Sequence, residues 1–373
     1  MASIQKRPSG KWRARYRDGA GKEHAKHFAR KVDAQRWLDE VTASIKTGQY
    51  VDPAAGRITF ADYFADWSKR QIWVSGTERA MRLAAESTTF RDVPLSSLRR
   101  SHVEAWIKAM QTKDRGEDRT AGLAAGTIRT RFNNVRAVLR AAVRDRVIIS
   151  DPSEGVTLPR GRRAAAAMRL PTVEEVAALL DGAAPPFRAF VALAAFAGLR
   201  LGEAAGLRVG DVNFLGRSLD VVRQVQRERG GVEIRAPKYG SERTVYLADE
   251  LVNILARHVE AYRPGDDPAR WLFVGDGDAP PHQNSIGYQW RRAQRAAGVS
   301  GMKLHDLRHF YASGLIAAGC DVVTVQRALG HAKATTTLNT YAHLWPTAED
   351  RTRKAAALLA ETLGADSLRT REA

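Results

Sequence analysis

Residues 303–343 read KLHDLRHFYASGLIAAGCDVVTVQRALGHAKATTTLNTYAH. Histidines, arginines and two tyrosines recur here against a background of alanine and leucine. His305 and Arg308 stand three residues apart, a spacing that puts both side chains on one helix face. His309 stands four from His305. Histidines four apart on a helix can share a metal, but they need a third ligand, and the zinc motif of that spacing carries a glutamate between them. Arg308 lies between these two and would oppose a cation, so no metal is expected. His309 reads as a packed, hydrogen-bonded scaffold residue. Further on, ALGH closes a helix at His331, Thr335–Thr337 opens another, and Tyr341 follows.

Two upstream stretches share the same polar character. Arg200 lies in AGLRLGE, directly after an apolar helix, with Glu203 three residues on to brace it. Lys238 lies in APKYGSERTV, at a turn between strand-like runs. A lone arginine beside a glutamate is usually a salt bridge, and a lone turn lysine is usually solvated. Arg200 and Arg308 together are different, because two guanidiniums can clamp one phosphate bidentately. Tyrosine ionises near pH 10 and is a poor nucleophile unaided. Cations around it stabilise both phenolate and a pentacoordinate phosphate.

Charge supports a polyanionic partner. The chain has 373 residues, 59 Lys+Arg against 41 Asp+Glu, and a net charge of +18. Residues 1–169 hold +16 of that excess and residues 170–373 only +2. A basic front half joined to a nearly neutral back half points to nucleic-acid-grasping modules attached to a unit with another task. No apolar run approaches the ~20 residues of a membrane span. The N-terminus lacks the apolar core of a secretory signal, and the single cysteine, Cys320, can form neither an intrachain disulfide nor a cysteine cluster. The expected location is the cytoplasm.

Four segments follow from pattern. In residues 1–57, Trp12, Ala14 and Tyr16 alternate with Arg13, Arg15 and Arg17, as on the two faces of a strand. A second strand-like run, KEHAKHF, and a helix over Val32–Ile45 complete a small sheet with one helix, its arginine face suited to DNA. Gly48–Gly56 reads as a short linker. Residues 58–150 read as a helical domain. Thr59 is a candidate N-cap, Ser101 with Glu104 a candidate capping box. The helix Thr127–Asp145 carries an apolar stripe, Ile128, Phe132, Val135 and Leu139, and a ridge, Arg129, Asn133, Arg136, Arg140 and Arg144, fit for phosphates or a groove. Residues 151–171 are Pro- and Gly-broken and basic, with Arg162 and Arg163 able to follow a DNA backbone. Residues 172–373 open on a capping box, Thr172 to Glu175, and carry the candidate chemistry; LDVVRQVQ, GVEIRA and RTVYL read as three strands around Lys238.

Arg200 in GLRLGE, Lys238 on its hairpin, His305 and Arg308 in HDLRH, His331 in LGH and Tyr341 in TYAH resemble the six-residue constellation of the tyrosine recombinases, over essentially the whole chain. The resemblance implies a mostly α fold with small antiparallel sheets. Its parts are an N-terminal three-stranded sheet plus helix that binds arm-type DNA, a helical core-binding domain, and an α+β catalytic domain. It implies a phage-type integrase that needs no cofactor, and the sequence has no phosphate-binding GxxxxGK[ST] loop. Tyr341 would attack a DNA phosphate and form a 3′-phosphotyrosine. Arg200 and Arg308 would hold the non-bridging oxygens, Lys238 would protonate the leaving 5′-oxygen, His305 would position or deprotonate Tyr341, and His331 would donate to the phosphate. Double-stranded DNA with core and arm sites, a homotetramer, and a DNA-bending accessory protein or directionality factor are the implied partners. A type IB topoisomerase or a catalytically silent DNA-binding regulator are the alternatives. The C-terminal segment, with Ala355, Leu358, Leu359 and Leu363 in an apolar stripe, would close its own domain or dock on the next protomer.

Overall fold

The computed structural model describes residues 2–18, 21–47, 50–52, 54–112, 122–159, 168–228, 231–345 and 348–362. Two compact units, 1–165 and 166–373, divide the chain, and the division falls inside the basic stretch 151–171.

The first unit begins with β1 (Ser3–Lys6), β2 (Trp12–Arg17) and β3 (Glu23–Phe28), an antiparallel sheet with β2 central. The alternation in β2 places Ala14 and Tyr16 in a small core with Ala34 and Leu38 of α1 (Lys31–Lys46). The expected linker after α1 is partly tied to this sheet. Tyr50 Oη lies 2.8 Å from Tyr16 Oη, and Lys22 Nζ lies 3.1 Å from Asp52.

A separate core is built by α2 (Phe60–Ser68), α3 (Ser75–Glu86), α4 (Arg100–Thr112) and α5 (Ala125–Arg144). Thr59 caps α2, its hydroxyl accepting from Asp62 N at 3.1 Å. The Ser101–Glu104 capping box does not form. Helix α4 starts at Arg100, two residues before the expected His102, and Glu104 pairs with Arg100 at 2.7 Å across one turn. On α5, Ile128, Phe132, Val135 and Leu139 are buried, as their spacing demands.

The second unit opens with α6 (Val173–Gly182), capped by reciprocal Thr172–Glu175 bonds. Helix α7 (Pro185–Phe196) is apolar nearly all round and forms the centre of the unit. The short α8 (Leu201–Ala205) follows. Then β4 (Val212–Asn213), β5 (Ser218–Val221) and β8 (Arg243–Tyr246) make one antiparallel sheet, while β6 (Gln224–Glu228) and β7 (Gly231–Arg235) make a hairpin. The run read as one strand, LDVVRQVQ, is therefore two, broken at Val222–Arg223, where Arg223 turns to pair with Asp211. Helices α9 (Asp249–Tyr262), α10 (Gln283–Ala296), α11 (Asp306–Ala317), α12 (Val322–Leu329), α13 (Ala334–Tyr341) and α14 (Ala348–Thr362) complete the chain. Leu358 and Leu359 of α14 are about two-thirds exposed, so α14 does not close its own domain through them.

Candidate active site

Two glycines set the backbone on which the site is hung. Gly198, just after α7, has φ +61°, and a Cβ there would meet the Tyr311 ring at 2.4 Å. Its carbonyl accepts from Arg308 Nη1, while Arg308 Nη2 donates to the Leu329 carbonyl at the end of α12. Gly330 ends α12 with φ +63°, the left-handed conformation that closes many helices, and a Cβ there would strike Arg243 Nη1 at 2.7 Å. Its carbonyl accepts from Arg200 Nη2 at 3.0 Å. Arg200 and Arg308 are thus gripped by neighbouring carbonyls of one helix end. Each guanidinium has five N–H donors, so both keep hydrogens for a further acceptor.

Glu203 is the counter-ion. It is 1% exposed; Oε1 lies 2.5 Å from Arg200 Nη1, and Oε2 lies 3.0 Å from both Arg200 N and Arg243 Nη2. Burial pushes its carboxyl up, but the charges of Arg243 and Arg200 and their hydrogen bonds outweigh this and hold it below its ordinary value. Two guanidiniums therefore share one carboxylate. Arg308 is itself almost wholly buried; burial first and Arg200 second draw its pKa down to about 9, which leaves it cationic at neutral pH.

The histidines are neutral. His331 is half-buried, its Nδ1 2.9 Å from Thr337 Oγ1, and burial followed by the charges of Arg308 and Arg200 lowers its pKa to about 4. His305 sits at the N-cap of α11 rather than within the helix, with an open edge to solvent. Desolvation, His309, Arg308 and Arg200 all act in one direction on it, to about 4. Its exposed edge makes the desolvation share smaller than for a sealed ring, but the neighbouring cations alone favour the neutral form.

Tyr341 is 1% exposed. Its Oη lies 2.8 Å from His309 Nδ1. Burial raises its pKa, and the charges of Arg308 and Arg200 oppose that rise. The expected contact between His305 and Tyr341 is replaced by this one. His305 instead stands edge-on to His309, ring centroids 5.1 Å apart. His309, read from sequence as scaffold, holds the tyrosine.

Arg200, His305, Arg308, His331 and Tyr341 come together in this way. Lys238 opens a short turn between β7 and β8 with its side chain exposed, and no described contact joins it to the cluster. Three residues later Ser241 Oγ lies 3.4 Å from Arg200 Nη1, which ties that turn to the site. Sequence reading missed Ser241 and Arg243. The only signal was their place in SERTV, directly after the lysine turn.

The DNA-contact candidates are more mixed. Arg17, Arg129, Asn133, Arg140 and Arg144 are exposed, while Arg13, Arg15 and Arg136 are half-buried. Arg13 and Arg15 share Glu23 at 3.4 and 3.8 Å on the same sheet face, so that face is not purely basic. Arg136 and Arg140 both approach Asp151, at 3.7 and 3.8 Å. Arg162 and Arg163 lie outside the described residues.

Comparison with known proteins agrees with this architecture. Residues 171–347 match the model of the phage integrase family, and residues 2–47 match that of the phage integrase N-terminal domain. A prophage phiRv2 integrase of Mycobacterium tuberculosis is 26% identical over 371 residues, covering 96% of this chain and 94% of its own. The integrase of Salmonella phage P22 is 26% identical, covering 83% of this chain and 75% of its own. Among solved structures, the Tn1549 transposon integrase in complex with transposon right end DNA superposes with a TM-score of 0.69 at 21% identity, over 81% of this chain and all of that one. A lambda integrase tetramer bound to a Holliday junction gives 0.57 at 16% identity, over 89% of this chain and 96% of that one. With residues 2–47 and 171–347 both matched by integrase family models, the chain belongs to the phage integrase family of tyrosine recombinases.

Proposed function

We propose that this protein is a site-specific DNA recombinase that cuts and rejoins DNA through a 3′-phosphotyrosine and so integrates or excises a phage or other mobile element. The observation that carries this reading is the Tyr341 hydroxyl, buried and hydrogen-bonded under the charges of Arg308 and Arg200. Oη attacks the scissile phosphorus and the bond to the 5′-oxygen breaks. Arg200 and Arg308, fixed by carbonyls and Glu203, offer their remaining N–H groups to the non-bridging oxygens, where charge gathers in the transition state. His331, with Nδ1 engaged by Thr337, has Nε2 left for the phosphate. His305, which does not contact Tyr341, presents its open edge to the same phosphate. Lys238, on an exposed turn, swings in to protonate the leaving 5′-oxygen. The covalent bond keeps the energy of the phosphodiester, so rejoining needs no nucleotide.

Double-stranded DNA is the partner, with core sites for the helical region and arm sites for residues 1–57. The exposed Leu358 and Leu359 support docking of α14 on a second copy, as a tetramer on two duplexes requires. A DNA-bending protein or directionality factor would complete the assembly. Among the described residues no helix is long and apolar enough to cross a membrane, and the proposed location is the bacterial cytoplasm or nucleoid.

The test is a denaturing gel with a nicked suicide duplex built on the element's junction sequence. The native chain is expected to form a covalent adduct, and Tyr341→Phe to bind the duplex with unchanged affinity and form none. An adduct that survives in Tyr341→Phe refutes the assignment.

A further inference from the structure

His309 stands outside the six residues assigned above, yet it is the side chain that touches the attacking atom. Its Nδ1 lies 2.8 Å from Tyr341 Oη, and the two rings meet at 65° with centroids 5.6 Å apart. We propose that His309 is the general base of strand cleavage and takes the Tyr341 phenol proton at Nδ1 as Oη attacks phosphorus. This inference rests on the phosphotyrosine reading of the previous subsection.

Several observations converge on it. The distance is that of a proton-transfer contact, before any rearrangement. Tyr341 is 1% exposed, so bulk water has little access to its hydroxyl. Acceptance at Nδ1 needs the imidazole tautomer protonated at Nε2, a neutral ring. The surroundings keep it so. Burial is the main influence that lowers the His309 pKa; Asp306 pulls it up and Arg308 pushes it down. The ring of His305, at the N-cap of the same helix, flanks it. The elements packed on α11 bring few other charges near: Arg200 follows α7, Arg327 is the basic residue of α12, and His343 lies in the turn after Tyr341. On the phenol, Arg308 and Arg200 favour the anion. A weak base thus meets a phenol whose ionisation two cations assist.

The step balances. The Tyr341 O–H bond breaks and its proton passes to Nδ1, giving an imidazolium. The Oη–P bond forms, the P–O5′ bond breaks, and the 5′-oxygen takes a proton from Lys238. In rejoining, the 5′-hydroxyl attacks, Lys238 recovers its proton, and the imidazolium returns the other to Tyr341.

Single-turnover cleavage of the nicked suicide duplex, measured against pH, tests the role. The native rate is expected to stay flat from about pH 6.5 to 8.5, above the range in which His309 titrates. His309→Ala is expected to cleave about 10²–10⁴-fold more slowly. Its rate should climb close to tenfold per pH unit, because solvent must then take the proton, and added imidazole should restore part of the loss. His309→Asn can still hydrogen-bond to Tyr341 but cannot accept its proton, and should be slow with the same rising profile. Should the alanine variant fail to fold, judged by thermal melting and duplex affinity, the asparagine variant decides alone. A native rate and flat profile in His309→Asn would overturn the proposal, as would slow cleavage with native pH dependence and no imidazole rescue. Tyr341→Phe separates the two levels: an adduct there sinks the phosphotyrosine reading, whereas its loss together with native behaviour of the His309 variants sinks only the base.

Discussion

Glu203 anchors Arg243 from 3.0 Å, with the carboxylate 1% exposed and the arginine side chain 7%. The same carboxylate bonds Arg200. One buried negative charge thus fixes one arginine that faces the site and one that supports it. Removing it leaves Arg243 buried and unpaired. Breaking a buried pair from one side costs about 3–5 kcal/mol, so Glu203→Ala should lower the unfolding free energy by that amount, read as a lower midpoint in urea. It should also slow cleavage, since Arg200 loses its brace. A native midpoint in that variant would show that the triad contributes nothing.

The same site predicts acid lability. His305 and His331 have folded pKa values near 4, below the ordinary ~6.5 of the unfolded chain, so unfolding takes up protons between those two values. Their contribution is complete above about pH 6.5 and is lost as pH falls towards 4. Glu203, held below its ordinary value, adds a loss of the same sign at still lower pH. Urea midpoints of the full chain should fall steadily from pH 7 to 4, and His331→Gln should flatten that decline. An unchanged decline would place its origin elsewhere.

Arg308 donates to two carbonyls, those of Gly198 and Leu329, from a fully buried position. Lysine has one ammonium and cannot span both while also reaching a phosphate. Arg308→Lys should therefore lower the cleavage rate about 10²–10³-fold, the range for loss of one preorganised donor, with little change in duplex affinity. Equal losses in cleavage and affinity would mean that Arg308 serves binding rather than the transition state.

What sequence disclosed and what it withheld follows from the range of the forces involved. Alternation from Trp12 to Arg17 shows a strand because each apolar residue must face α1, and the stripe from Ile128 to Leu139 shows a helix for the same reason. The motif arginines were visible because buried charges need partners, and Glu203 stands one turn away. His309 is hydrogen-bonded as expected, but its partner was hidden because Tyr341 lies 32 residues on and nothing in HDLRH fixes which histidine Tyr341 will meet. Arg243 was missed because its companions, Glu203 and the Ala328 carbonyl, are more remote still, 40 and 85 residues away. The capping box expected at Ser101 shows the converse: the helix begins at Arg100, where Arg99 N donates to His102 Nδ1 at 3.0 Å and Glu104 pairs with Arg100.

Helix α5 presents Arg129, Arg140 and Arg144 on its exposed face. If each meets one phosphate, alanine at that position should reduce the slope of log affinity against log salt by about 0.9. Arg136 is half-buried and close to Asp151, so Arg136→Ala should alter stability more than the slope. Fluorescence anisotropy over a salt series on a core-site duplex measures both. Slopes that do not change for any of the three exposed arginines would remove α5 from the DNA interface.

Lys238 is the assignment with least support from contacts, since its ammonium is exposed and only the following Ser241 reaches Arg200. A general acid has a signature that a binding residue lacks. Lys238→Ala should slow cleavage of an ordinary phosphodiester about 10²–10⁴-fold. A duplex with sulfur in place of the bridging 5′-oxygen has a leaving group that departs without a proton. On that duplex the variant should cleave at close to the native rate. The exposure of Lys238 in the free chain is no obstacle, because the lysine is needed only when the phosphate is bound. Equal slowing on both duplexes would assign Lys238 to phosphate binding and leave the leaving-group proton to another residue.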